Sequence, residues 1–206
     1  LTIGYELEFC RAGGSSTSDE VHARGMTNTL KQFMAEVDPD FNQPYAAFER
    51  DGSVDFEMVS GYGPIDIHRA AVLRLLGGNA YAGKLTSHTN NKCGLHVHLD
   101  KPESVLHATR LAQFYNSPIN EELIRCVARR YKTDGYAKVA PQQGDTVLAA
   151  KRVRQNIRNG YDSKRGAIRR AITAINGDDR YVAVNFQPAR TAEVRIFRGS
   201  MIAGTV

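Results

Sequence analysis

Four short segments carry an unusual side-chain chemistry: "GYELEF" (4–9), "VDFEM" (54–58), "GLHVHLD" (94–100) and "AEVRIF" (192–197). Each alternates apolar and polar residues, the period of a strand with two unlike faces. The polar positions are Glu6 and Glu8, Asp55 and Glu57, His96 and His98, and Glu193 and Arg195. Taken singly, each has an ordinary reading: a solvated face, a satisfied histidine pair or a cross-strand ion pair. A face turned simply to water would also carry Lys, Thr, Ser and Gln. Here the outward positions are concentrated in groups that bind metals and phosphates. Together they make a set suited to divalent cations and a polyphosphate. Carboxylate oxygens outnumber imidazoles, which favours magnesium or manganese over zinc.

The elements that must position these groups follow from the same patterning. Ile3, Tyr5, Leu7 and Phe9 share one face of the first strand. "YAAFERDGSVDFEMVS" reads as two strands joined by a tight hairpin at Asp51-Gly52, with Val54, Phe56 and Met58 facing one way. Leu95, Val97 and Leu99 form the apolar row of the histidine strand. "RYVAVNFQ" and "TAEVRIFR" read as two closing strands joined at Pro188-Ala189-Arg190. Helices are expected from Ser18 to about Val37, from Pro64 to about Leu76, and near 103–115 and 118–130. Two more run from Asp145 to about Arg158 and over about 165–175. With no internal repeat or long linker, 1–206 reads as a single α+β domain with a largely antiparallel sheet and flanking helices.

Composition narrows the class. The 206 residues are 42% hydrophobic and 24% charged, the balance of a globular chain. No apolar run reaches bilayer length and no signal-peptide pattern opens the chain, so a cytoplasmic protein without a membrane partner is expected. The three cysteines, Cys10, Cys93 and Cys126, show no paired spacing, which suggests reduced thiols. A formal net charge of +5 suits anionic partners without choosing among them.

The order and content of the motifs resemble the glutamine synthetase-like superfamily, and within it the compact amidoligase family of carboxylate–amine ligases, found in phages and bacteria. "GYELEF" is similar to the N-terminal Glu-x-Glu strand, "GLHVHLD" to the His-x-His strand and "AEVRIFRGS" to the C-terminal Glu-x-Arg strand. "RDGSVDFEMVS" stands in second place. The resemblance spans Gly4 to Gly199 and implies a curved, mostly antiparallel sheet whose concave face holds the active site. It implies ATP with magnesium, or manganese, and substrates that are a small-molecule or peptide carboxylate and an amine. By the same resemblance Glu6, Glu8, Glu57, His96 and Glu193 would ligate metal, with Asp51 and Asp55 as weaker candidates. His98 would lie near the nucleotide or transferred phosphate. Arg195 would contact the phosphoryl group, assisted by Arg198. The larger glutamine synthetases carry two mid-chain carboxylates, and Glu57 answers to one of them. The resemblance also implies further structure after the last motif, whereas the chain ends at Val206.

The reaction implied is attack of a substrate carboxylate on the γ-phosphate of ATP, then displacement of phosphate from the acyl phosphate by the amine. Two other readings stand beside it. One is a nucleotide- or nucleic-acid-binding module without catalysis. The other is a metallohydrolase, because "HVHLD" is similar to the His-x-His-x-Asp of metallo-β-lactamase-type enzymes. Lys101, however, stands where those enzymes place another ligand. The basic segment "KRVRQNIRNGYDSKRGAIRR" (151–170) reads as a solvated helix face, a rim that reaches phosphates, or a nucleic-acid surface.

Overall fold

The computed structural model describes residues 2–11, 28, 46–49, 54–77, 85–87, 93–130, 137–139, 151, 153–155, 157–160, 163–176 and 180–200. They form an α+β structure with a mostly antiparallel open sheet and flanking helices. Two compact units divide the chain, one of Leu1–Val97 with Arg198–Val206 and one of His98–Phe197.

The first unit is built on β1 (Thr2–Arg11), flanked by β3 (Phe56–Ser60) and β6 (Gly94–Asp100), with β2 (Ala46–Glu49) outside β3. Two short strands, β4 (Gly63–Pro64) and β5 (Leu85–Thr86), pair with the two ends of β1. The alternation of "TIGYELEF" is obeyed. Tyr5, Leu7 and Phe9 are buried with Phe48, Phe56 and Met58 in one cluster, and Ala71 and Val72 pack into it from α1 (Ile65–Gly77). Leu7, Phe9, Phe56 and Met58 are wholly buried, each contributing about 1.5–3 kcal/mol by area. Leu95 packs against this cluster but stays half-buried, as do Val97 and Leu99. The histidine strand therefore buries its expected core row only in part.

The hairpin pairs as expected, but in a different register. A two-residue turn at Asp51-Gly52 would set Arg50 opposite Ser53. The ladder instead pairs Phe48 with Met58 and Glu49 with Glu57. Seven residues separate the last paired positions, and the expected Asp51-Gly52 turn among them lies outside the described residues. Pro64 ends in β4 opposite Thr2, and the helix starts one residue later. Further along, Gly199 passes so close to Ser87 and Gly94 that a Cβ there would collide with Ser87 Oγ and approach Gly94 O to 3.1 Å.

In the second unit, β8 (Thr191–Arg198) lies between β7 (Val184–Asn185) and the His98–Asp100 end of β6. The expected strand "RYVAVNFQ" shrinks to β7, because Val182 bridges Lys138 instead. Three helices pack here: α2 (Val105–Asn116), α3 (Glu121–Ala128) and α4 (Lys164–Thr173). Short 3₁₀ turns, Pro118–Asn120 and Ala174–Asn176, precede α3 and follow α4. Ala108 and Ala112 of α2, and Ala167 and Ala171 of α4, form buried small-residue stripes at i, i+4 spacing where these two helices pack together. Ser104 and Ser163 cap the two helices, accepting from the His107 and Gly166 amides. Such caps contribute about 1 kcal/mol each. Of the expected 18–37 helix only Asn28 is described, and it is helical. Of the expected 145–158 helix, 151, 153–155 and 157–158 are described and helical. Among the described residues no helix is long and apolar enough to cross a membrane.

His68 of α1 is a buried histidine of the first unit whose Nε2–H donates to the Ile3 carbonyl at 2.8 Å, with its ring edge-on to Tyr5. Burial lowers its pKa below the ordinary value, and hydrogen bonding to the backbone of Ile3 and Gly63 opposes this in part. The unfolded chain therefore takes up this proton first as pH falls. Stability from the neutral ring is complete above about pH 6.5 and declines as pH drops through that value toward the folded pKa. Urea unfolding at stepped pH from 8 to 5 is expected to show this loss, with a shallower slope in His68→Gln.

Candidate metal centre

At the centre of the outward face of the first unit the polar groups are withdrawn from water. Glu8 is 7% exposed and His96 is 5% exposed, more buried than the leucine beside it. Glu6 and Glu57 are half-buried. Carboxylates removed from water require partners, or their desolvation goes uncompensated.

Strand register brings the acids together. Glu8 stands directly opposite Glu57, and Glu57 directly opposite Glu49. Residues paired in this way share a face with Cβ atoms about 4.5–5.5 Å apart, and like charges so placed repel. From the other flank of β1, the His96 imidazole reaches both of its glutamates. Nδ1 is 3.1 Å from Glu6 Oε2 and Nε2 is 3.8 Å from Glu8 Oε1. An ionised carboxylate only accepts, so a hydrogen on Nδ1 bridges the ring to Glu6, and a cation held by Glu6 and His96 together would take that hydrogen's place. The Gly94 amide donates to Glu8 Oε2 at 2.5 Å and fixes that carboxylate against β6.

Ligand atoms of Glu6, Glu57 and His96 all lie within 4.8 Å of one another. Two donors on opposite sides of a magnesium-sized ion are separated by about 4.2 Å. The three groups are therefore close enough together to share one cation. Their oxygen-rich composition fits magnesium or manganese. Asp55 is used elsewhere: it is exposed, and its Oδ2 accepts the Arg11 amide at 2.7 Å.

Of the remaining expected residues, His98, Glu193 and Arg195 lie in the second unit and Arg198 in the first. Glu193 is 4% exposed. Its Oε1 accepts from Arg195 at 2.5 Å and its Oε2 from Asn185 Nδ2 at 2.9 Å. Asn185 stands opposite Glu193 in the β7–β8 pair. His98 Nδ1 lies 3.2 Å from Thr191 Oγ1, two residues before Glu193 on the same strand. Arg198, three residues beyond Arg195, has the opposite strand parity. It follows the buried row of Ala192, Val194 and Ile196.

Two participants were not singled out from the sequence. Glu49 enters through register, and the signal was a glutamate at the end of the partner strand. Asn185 enters through its hydrogen bond to Glu193, and the signal was an amide in an otherwise apolar run. Lys101 also acquires a role. Its Nζ donates to Thr173 Oγ1, Phe186 O and Pro188 O at 2.9, 2.6 and 3.0 Å, using all three of its hydrogens. Burial, and the nearby charge of Arg169, lower its pKa. In the basic segment, Lys151, Arg154, Arg158, Lys164, Arg165, Arg169 and Arg170 are exposed.

A scan against protein-family models finds no match for this chain, and a search of curated proteins finds none either.

A cation that relieves the Glu8–Glu57 repulsion stabilises the fold by mass action, about 2.7 kcal/mol at a hundredfold excess over Kd. Thermal unfolding in a chelator and in millimolar manganese tests this. The wild type is expected to gain several degrees with manganese. Glu57→Gln is expected to match or exceed wild-type stability in chelator and to gain little from the metal.

Proposed function

We propose that the chain is an ATP- and magnesium-dependent carboxylate–amine ligase that forms an amide or isopeptide bond through an acyl phosphate. The observation that carries this reading is the convergence of the half-buried Glu6 and Glu57 on the buried His96, with Glu8 opposite Glu57 in register. The motif resemblance supplies the reaction. Glu6, Glu57 and His96 are the residues that would hold a divalent cation, with Glu8 beside them. Once bound, the cation would neutralise phosphate charge as two anionic substrates approach each other.

The protein's own groups supply the rest. Glu6 and Glu8 flank the imidazole at 3.1 and 3.8 Å and so set the orientation of the His96 ring. Glu193 holds the Arg195 guanidinium through a short ion pair, while Asn185 fixes the other oxygen of Glu193. An arginine held in this way costs little to reorganise when charge develops on a transferring phosphoryl group. Arg195 takes that role in this reading, with His98 near the nucleotide. Lys101 bears on the hydrolase alternative. The position where those enzymes carry a further ligand is occupied by an ammonium spent on three structural acceptors.

The test is ATP turnover with magnesium against a panel of acids and amines, with mass spectrometry for the amide. Product that requires ATP, metal, acid and amine together is expected. It should fall at least a hundredfold in Glu57→Gln and in Arg195→Ala. Metal-dependent hydrolysis without a nucleotide would overturn the ligase reading, as would ATP binding without turnover across the panel.

A further inference from the structure

Cys10 and Cys93 are 83 positions apart, yet the fold of the first unit sets their Sγ atoms 3.5 Å from each other. Both are thiols. A disulfide requires about 2.05 Å, so closure takes about 1.5 Å of movement shared by two side chains. Cys93 is 1% exposed and Cys10 is half-buried, so a small oxidant meets Cys10 first. The third thiol, Cys126, is exposed on α3.

We infer that Cys10 and Cys93 form an oxidisable dithiol, a modification site for peroxides. In the first step the Cys10 sulfur attacks one peroxide oxygen. The S–O bond forms, the O–O bond breaks, and the departing hydroxide leaves as water with the thiol proton. The Cys93 sulfur then attacks the sulfenic sulfur of Cys10. The S–S bond forms, the S–O bond breaks, and hydroxide leaves as a second water with the Cys93 proton. Two thiols are oxidised and one peroxide is reduced to two waters.

The position gives this bond a consequence. Cys10 follows Glu8 by two residues on β1, and Cys93 immediately precedes Gly94, whose amide donates to Glu8. Closing the S–S bond pulls on both strands at that contact and weakens cation binding by Glu6, Glu57 and His96. This consequence rests on the metal reading above, whereas the dithiol chemistry does not.

The experiment exposes reduced protein to hydrogen peroxide, alkylates the remaining thiols and maps the peptides by mass. Expected are a loss of two hydrogens, a Cys10–Cys93 linked peptide, alkylated Cys126 and reversal by dithiothreitol. Cys126→Ser should behave identically, and Cys93→Ser should carry Cys10 on to the sulfinic acid. In the wild type, sulfinic Cys10 with alkylated Cys93, or a link through Cys126, would overturn the dithiol. Manganese titration of both redox forms then separates the two claims. Binding weakened severalfold on oxidation supports the coupling, and equal binding overturns it. No binding in either form, with the disulfide present, overturns the metal reading and leaves the dithiol standing.

Discussion

The constraint on which this structure turns is negative charge held out of water. Glu8 is almost wholly buried and faces Glu57 across a strand pair, with His96 set against Glu6 and Glu8 from the other flank. Coulomb repulsion at such separations grows as water is excluded. A hydrogen bond from Gly94 offsets part of the cost at Glu8. In the ligase reading proposed above, a divalent cation would offset the rest and put the same carboxylates to use.

The core enforces the arrangement. Strand parity sends Leu7 and Phe9 inward and Glu6 and Glu8 outward, and the same parity on β3 divides Phe56 and Met58 from Glu57. A slip of one residue would place glutamates among phenylalanines and expose side chains that contribute about 1.5–3 kcal/mol each. Apolar burial is thus what holds the acids in register against their own repulsion. In the second unit the logic differs, because Glu193 is matched locally by Arg195 and Asn185. There the charge is paired within its own unit, and what the pair supplies is orientation of the guanidinium.

Local patterning made much of this legible before any coordinates. Alternation in "TIGYELEF" and "TAEVRIFR" named the strands, their buried rows and the outward acids, and β8 spans the expected residues. What depends on pairing between distant segments was not legible. The Asp51-Gly52 dipeptide pointed to a tight turn, and only the ladder shows Glu49 opposite Glu57. Nothing in a spacing of 83 residues joins Cys10 to Cys93. Lys101 read as a departure from a hydrolase motif, and its three acceptors come from segments more than seventy positions away. The histidine strand was expected to bury Leu95, Val97 and Leu99, yet His96 is the more buried, set against Glu6 and Glu8 on the opposite face.

The most direct test of the central claim is pulsed electron paramagnetic resonance of the manganese-loaded protein. The expected result is a nitrogen coupling from one directly bound imidazole, absent in His96→Gln. A bound manganese ion whose spectrum shows no imidazole nitrogen, or one whose nitrogen signal persists in that variant, would contradict the assignment of Glu6, Glu57 and His96 as the metal centre.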